Sequence, residues 1–278
     1  MKTYEDARLK ARRFCQERSW SKFHEPRSLV LALAGEVGEL SEIFQWKGNL
    51  PDGLDSSFGS KDVIHVGEEC SDVFIYSTRL CDVCNINLSK AVKFCLLHKE
   101  RALEVAAENE TEFKCTETEM WSDINFKYIE SEVATNYPSL TSTRNPRDIS
   151  LNINTHLGSL CNVFQNRQEL DTLPGLPSWS RGELSTLAIS VAHICILLSW
   201  LCSVCKLQLN SCVSDKFSKN DKKYPVHLVK GSSAKYTAYS DEISKQSSLS
   251  NGILAGTVLI FSGVVASAFV LLKNKQFF

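Results

Sequence analysis

The sequence repeats itself after 120 positions, and this internal duplication restricts the fold more than any other feature. Residues 26–29 (PRSL) recur as residues 146–149 (PRDI), and residues 44–45 (FQ) recur as residues 164–165. Because the spacing between the matches is preserved, we expect the two halves to fold alike, as units of a tandem repeat.

Each half has the apolar periodicity of α-helices, whereas stretches with the alternation of β-strands are few. Pro26 fits the first turn of a helix, and Pro51 with Gly53 interrupts the chain after that helix. The sequence therefore predicts an all-α fold of two tandem four-helix units that pack against each other as a pseudo-dimer. In the first half, the helical pattern covers residues 8–18, 28–46, 62–83 and 88–107.

The composition also indicates where the units end. The chain turns polar and acidic between residues 107 and 119, and it is Ser-rich between residues 240 and 250. We therefore predict a first unit over residues 1–111, a second over residues 112–239 and a linker over residues 240–252.

Residues 253–272 form an uncharged, mostly apolar run of 20 residues. About 20 residues at a rise of 1.5 Å span a hydrocarbon core of about 30 Å. A buried core helix is the alternative, but the small residues in the run and the stop at Lys273 favour a transmembrane helix. Only six residues follow. We therefore expect a tail anchor that leaves the rest of the chain on the cytosolic face of an intracellular membrane.

The charge of the chain is balanced, with 31 basic and 32 acidic side chains. No global field would attract nucleic acid, so we expect no nucleic-acid partner. The 11 cysteines are an odd number in a long chain without a signal peptide, which indicates reduced thiols. The C-x-x-C pairs Cys81/Cys84 and Cys202/Cys205 could suggest zinc, but they lie in apolar helical runs and are expected to be buried.

Two pairs of acidic residues stand within apolar helical segments. Glu36 and Glu39 are three residues apart, and Glu69 and Asp72 repeat that spacing, so each pair shares a helix face. Such pairs commonly lie on solvated faces, but burial among apolar residues would be costly without a cation. Four carboxylates form an all-oxygen set that favours Mg²⁺, with Mn²⁺ as the alternative, and such a cation suits phosphoryl chemistry.

These acidic residues stand among further motifs: residues 20–27 (WSKFHEPR), 44–47 (FQWK) and 68–72 (EECSD). Together they resemble the MazG-like all-α NTP pyrophosphohydrolases, and within them the dCTP pyrophosphatase branch. The resemblance implies hydrolysis of a deoxynucleoside triphosphate, with dCTP or 5-modified dCTP favoured, to the monophosphate and pyrophosphate for nucleotide-pool sanitation. It also implies that water attacks the α-phosphorus while four residues hold Mg²⁺: Glu36, Glu39, Glu69 and Asp72.

The same resemblance implies a nucleobase pocket in which aromatic rings stack on the base and a polar group contacts its edge. Packing in the core is the alternative for each of these residues. The predicted substrate-binding residues of the first half are Trp20, His24, Trp46 and Tyr76.

The two halves depart from the family pattern in complementary ways. Where the family has a Lys-x-x-x-Asn pair, the first half has Cys95 and Lys99, whereas the second half has Lys216 and Asn220. We therefore predict one composite site, with metal ligands from the first half and Lys216 and Asn220 from the second. The alternative is that the second half is a structural cap and its basic run a solvated face.

In the second half, none of the four carboxylates is kept at the corresponding positions. We therefore expect no Mg²⁺ there, and we favour neutral, buried histidines over a different metal site. The residues that replace the carboxylates are His156, Ser159, Ser190 and His193.

Two other functional classes stay open from the sequence. One is a catalytically inactive nucleotide-binding or scaffold protein held at a membrane, and the other is an adaptor whose acidic pairs are surface charge. The resemblance also implies homo-oligomerisation, because members of the family assemble, although the fusion of the two halves could already supply one interface.

Overall fold

A computed structural model describes residues 1–232, apart from residues 117–118, 122–123, 137–141, 166 and 169–171. This part of the chain is helical and contains three isolated β-bridges but no strand, so the predicted all-α class is confirmed. The predicted linker and membrane segment, residues 240–252 and 253–272, lie outside the described residues. The helices are α1 (Tyr4–Glu17), α2 (Pro26–Phe44), α3 (Ser60–Val83), α4 (Leu88–His98), α5 (Ala102–Glu108), α6 (Phe126–Asn136), α7 (Pro146–Gln165), α8 (Arg181–Val204), α9 (Leu209–Lys223) and α10 (Val226–Val229).

The chain divides into two compact units, Met1–Lys222 and Lys223–Phe278. Of the second unit, residues 223–232 are described, and they contain one short helix, α10, after Pro225. The first unit contains the helices of both sequence repeats, and these helices share one hydrophobic core.

The helices begin where the sequence provides partners for their first backbone amides. Thr3 caps α1, with the Asp6 amide donating to its hydroxyl at 3.1 Å and the Asp6 carboxylate accepting from the Thr3 amide at 3.0 Å. Ser180 and Glu183 form the same reciprocal pair at the start of α8. Helices α2 and α7 both begin at a proline, which lacks the amide hydrogen that a first turn leaves unpaired.

One predicted helix is divided in two. The apolar pattern of residues 88–107 indicated a continuous helix, but α4 ends at His98 and Lys99 adopts a left-handed conformation with φ of 55°. A 3₁₀ turn over Lys99–Arg101 follows, and α5 begins at Ala102. Ala102 and Ala106 are buried, and α5 packs against α8.

Four central helices, two from each repeat, form the core that positions the candidate site. Helix α2 packs against α3 and α7, and α8 packs against α3 and α7. Leu33 and Leu40 of α2 and their repeat equivalents Ile153 and Leu160 of α7 are all fully buried. The hydroxyls of Ser41 and Ser150 meet at 3.0 Å across the contact between α2 and α7.

Helix α8 is buried around nearly its whole circumference. It is 24 residues long and apolar enough to cross a membrane, but almost all of it is enclosed by other helices of the unit. A helix that is apolar on every side belongs in the centre of a protein or in a lipid bilayer, and here it is the central core helix. The two C-x-x-C pairs lie at the ends of α3 and α8, and all four thiols are buried and free, as predicted.

The loop after α2 approaches the end of α8 closely. The Gly53 amide donates to the carbonyl of Arg144 at 2.9 Å, and Gly53 has a φ of 71°. A Cβ atom at this position would overlap the carbonyl oxygen of Val204. Only glycine satisfies both requirements, the left-handed backbone and the close approach.

Replacing Gly53 by alanine is expected to lower the free energy of unfolding by about 2–4 kcal/mol, because backbone strain and overlap with Val204 add. Gly48 is a matched control, since it also has a φ of 71° but no atom lies within 4 Å of its Cβ position. Gly48→Ala should cost only about 1–2 kcal/mol. Urea unfolding measures both, and equal losses would show that the contact with Val204 is unimportant.

Candidate active site

Three carboxylates converge where α2 crosses α3. Glu36 lies on α2, whereas Glu69 and Asp72 lie one turn apart on α3. One oxygen from each lies within 4.8 Å of the others. Glu69 is 5% exposed, and the other two are half-buried. The structure therefore brings together three of the four acidic residues that the sequence analysis singled out.

The electrostatics of this cluster favour a cation. Burial, followed by the repulsion of Asp72, Glu39 and Glu69, raises the pKa of Glu36 to about 8. Burial and the Asp72 carboxylate also raise the pKa of Glu69, although Lys216 opposes them. The Oε2 atom of Glu69 is buried and has no hydrogen-bond partner. Converging carboxylates, one of them with an unpaired buried oxygen, are a donor set that fits Mg²⁺ or Mn²⁺.

Glu39 stands apart from this group. It is exposed on α2, one turn after Glu36, and its carboxylate is not among the three that meet within 4.8 Å. It is near enough to raise the pKa of both Glu36 and Glu69. Its role as a fourth ligand stays a prediction.

The second repeat contributes two ammonium groups to this site. On α9, Lys216 forms an ion pair with Asp72, and Lys219 forms one with Glu68. Burial disfavours the charge on Lys216, but the carboxylates of Asp72, Glu69 and Glu68 raise its pKa overall. Asn220 is half-buried one turn further along α9. The sequence analysis missed the Lys219–Glu68 pair, for which the lysine spacing in α9 was the only available signal.

A glycine allows α9 to lie this close to α3. A Cβ atom at Gly67 would be 2.9 Å from Sγ of Cys212, a distance that side-chain atoms do not normally reach. The absence of a side chain at Gly67 therefore permits the approach that brings Lys216 to Asp72 and Lys219 to Glu68.

The equivalent place in the second repeat has the same contacts with different chemistry. The rings of His156 and His193 stack with centroids 4.5 Å apart and planes 6° apart. Sγ of Cys95, the counterpart of Lys216, lies 3.9 Å from Nδ1 of His193. Burial, followed by the neighbouring His193, lowers the pKa of His156 to about 4, and burial also lowers the pKa of His193. The two histidines thus favour the neutral form, as predicted.

The predicted nucleobase residues occupy different environments. Tyr76 is partly buried on α3, one turn after Asp72, and Trp20 packs on Phe14 with ring centroids 5.8 Å apart. Trp46 follows the end of α2 and is 88% exposed. The structure places Tyr76 next to the carboxylates, whereas Trp46 is not part of the core.

His24 contacts a residue that the sequence analysis missed. Its Nδ1 atom accepts a hydrogen bond from Nε of Arg79 at 3.2 Å and lies 3.5 Å from Sγ of Cys15. Burial, with a smaller contribution from the Arg79 charge, lowers the pKa of His24 to about 4. The sequence does place Arg79 seven residues after Asp72, on the same face of α3, and this spacing could have marked it as a site residue.

Comparison with known proteins gives this site a context. Over 90 residues the chain is 46% identical to dCTP pyrophosphatase 1 from Rattus norvegicus and 44% identical to dCTP pyrophosphatase 1 from Homo sapiens. This part of the chain is dCTP pyrophosphatase-like. Each match covers 32% of this chain and 52% of the relative, so the chain spans about half the length of these relatives. No family model and no solved structure matches the chain.

The raised pKa of Glu36 predicts how stability depends on pH without a cation. In the unfolded chain a glutamate has a pKa of about 4.3, whereas in the folded chain that of Glu36 is about 8. The folded state therefore binds more protons between these values, and stability falls as the pH rises through this window. Glu36→Gln should reduce this loss, whereas Glu42→Gln, at an exposed position of the same helix, should keep the wild-type slope.

Urea unfolding in a chelator across about pH 5 to 8 measures the two slopes. Added Mg²⁺ should stabilise the wild-type protein at the upper end of this range and should have little effect on Glu36→Gln. An unchanged slope in Glu36→Gln would show that another group causes the loss.

Proposed function

We propose that this protein is a Mg²⁺-dependent hydrolase that converts dCTP, or a 5-modified dCTP, to the monophosphate and pyrophosphate and so removes unwanted nucleotides from the pool. The convergence of Glu36, Glu69 and Asp72, with its buried unpaired oxygen, is the observation that carries this proposal. The similarity to dCTP pyrophosphatases over part of the chain supports the substrate class.

The chemistry of the donor set matches the proposed cation. Glu36, Glu69 and Asp72 would hold Mg²⁺ or Mn²⁺, with Glu39 as a proposed fourth ligand, since all four offer oxygen. When bound, such a cation neutralises phosphate charge and activates a water for attack on the α-phosphorus. The apolar residues of α2 and α3 beside these acids lower the local dielectric and so strengthen the charge interactions of the buried Glu69.

Lys216 and Asn220 complete the site in this proposal. In the free protein the Lys216 ammonium is paired with Asp72. A triphosphate offers this ammonium an alternative anion, and a cation competes with it for Asp72. We propose that Lys216 then pairs with a phosphate oxygen while the Asn220 amide donates a hydrogen bond to the substrate. The two repeats, residues 1–111 and 112–239, would thus act as a pseudo-dimer with one composite site.

The wider setting of the enzyme is proposed from the sequence alone. Residues 253–272 would anchor the protein in an intracellular membrane, with the Ser-rich linker 240–252 holding the hydrolase on the cytosolic face. Trp20, Trp46 and Tyr76 would contact the nucleobase or its sugar. We also propose that the protein forms a homo-oligomer. We propose no nucleic-acid partner.

One observation favours a second function, a nucleotide-binding or scaffold protein without catalysis. The Lys216 ammonium is held by Asp72, within the carboxylate group that would bind the cation. An ammonium that stays in this place could satisfy the acids permanently. Binding of nucleotide without Mg²⁺-dependent turnover would identify this alternative.

Pyrophosphate release from a panel of canonical and modified dNTPs, with and without Mg²⁺, tests the hydrolase directly. We expect turnover to require Mg²⁺ and to be highest with dCTP or a 5-modified dCTP. Glu69→Gln should lower kcat/KM on the order of 100-fold, because it removes the buried ligand. Glu42→Gln controls for the loss of one charge, and failure of the wild-type protein to hydrolyse any nucleotide would reject the proposal.

The composite site predicts a loss from changes in the second repeat. Lys216→Ala/Asn220→Ala should reduce kcat/KM at least about tenfold, since a charge-assisted hydrogen bond contributes about 1.5–3 kcal/mol. Affinity for Mn²⁺, measured by calorimetry, should not fall, because the Lys216 ammonium no longer competes for Asp72. Lys219→Ala, which breaks the ion pair with Glu68, is the matched control. Undiminished turnover by the double variant would assign the site to the first repeat alone.

A further inference from the structure

One face of α3 extends from the carboxylate cluster to the guanidinium of Arg79 and the imidazole of His24. Asp72, Tyr76 and Arg79 follow one another at intervals of four and three residues, which places them in one row along the helix. At a rise of 1.5 Å per residue, Arg79 lies about 10 Å beyond Asp72 along the axis. A nucleotide with its phosphates near Asp72 can therefore extend past Tyr76 towards Arg79 and the His24 ring that Arg79 contacts.

Two donors meet at a single nitrogen of His24. Nε of Arg79, 3.2 Å from Nδ1, is a donor in every protonation state that a protein allows. Sγ of Cys15 lies 3.5 Å from the same nitrogen, and burial raises the pKa of this thiol to about 11, so that it keeps its hydrogen. Nδ1 must therefore carry the lone pair. The hydrogen of the neutral ring is on Nε2.

Arg79 is itself held in place. Its Nη1 atom donates to Oδ2 of Asp82 at 2.5 Å, and this carboxylate is almost completely buried. Asp82 also pairs with Arg8 at 3.2 Å and with Arg12. The guanidinium is thus fixed at one end by Asp82 while its Nε faces His24. It cannot turn away without leaving its bond to a buried carboxylate.

The other ring nitrogen is available to a ligand. His24 is half-buried, and among the described residues its contacts are those at Nδ1. Among the described residues, Nε2 of His24 is not one of the buried atoms left without a hydrogen-bond partner. Its N–H group is therefore an accessible donor with a fixed direction.

We infer that Arg79 is a positioning residue that sets nucleobase choice by holding His24 as an Nε2–H donor. This inference rests on the proposed function and names its basis for selectivity. Cytosine presents an acceptor at N3, and this is the atom that takes the hydrogen bond, because O2 is an acceptor in uracil and thymine as well and could not distinguish the bases. Uracil and thymine present N–H at N3, and two facing donors would leave a polar hydrogen without a partner in a desolvated pocket.

If Arg79 only stabilised the fold, its replacement would have the same effect on base choice as replacement of Arg12. Arg79 and Arg12 each contribute one guanidinium to Asp82, and Arg79 also donates a hydrogen bond to His24. Arg79→Met and Arg12→Met therefore remove the same charge from the same carboxylate, and Arg8 remains in both. Any effect on base choice that appears in Arg79→Met and not in Arg12→Met acts through His24.

Calorimetric binding of dCMP and dUMP to the full-length protein tests the inference without relying on turnover. We expect the wild-type protein and Arg12→Met to share one preference for dCMP, and Arg79→Met to lose it by about tenfold, the size of one hydrogen bond. In ¹⁵N spectra of the His24 ring, the wild-type protein should show hydrogen on Nε2. Arg79→Met should show a mixture of tautomers.

A second variant keeps the test decisive if Arg79→Met does not fold. His24→Gln leaves the Asp82 cluster intact, and its amide can rotate to present either a donor or an acceptor. It should bind dCMP and dUMP about equally. Hydrogen on Nδ1 in the wild-type protein, or an unchanged dCMP preference in His24→Gln, would overturn the inference. Loss of dCTP hydrolysis with a retained preference for dCMP would reject the hydrolase and leave this inference standing.

Discussion

Helix α8 has no polar side to turn to water, and the rest of the unit follows from the need to enclose it. Helix α7 of its own repeat covers one side, and α3 and α4 of the first repeat cover others. Buried residues of both halves of the chain belong to this single core. The depth of this core also makes the carboxylates of α2 and α3 costly unless a positive charge joins them.

The two repeats use one packing geometry for different chemistry. In one place an ammonium from α9 meets an acid, Lys216 with Asp72, and in the related place a thiol from α4 meets an imidazole, Cys95 with His193. In both places burial favours the uncharged form: it raises the pKa of Glu36 and lowers the pKa values of His156 and His193. Buried acids that repel each other are stabilised by a bound cation, whereas two neutral histidine rings are stabilised by stacking on each other. This difference is the reason that we propose one cation site per chain rather than two.

The sequence predicted most of what local periodicity determines. Helices α2 and α3 lie within two residues of the predicted ranges 28–46 and 62–83, because proline and glycine mark their limits. Spacing placed Glu69 and Asp72 on one face of α3, whereas their meeting with Glu36 was implied by the family resemblance. The break at Lys99 did not, since lysine carries no signal for a left-handed backbone. Arg79–His24 and Lys219–Glu68 depend on how distant helices pack, which no local pattern encodes.

The pairing of Lys216 with Asp72 has a consequence for stoichiometry. A dimer of identical chains has two equivalent sites, and every substitution in the chain changes both sites. In the proposed composite site, one half keeps the acids while the other keeps the ammonium, so each polypeptide would offer one place for a nucleotide. Saturation would then be hyperbolic, with one ligand per chain and no cooperativity from an equivalent neighbour.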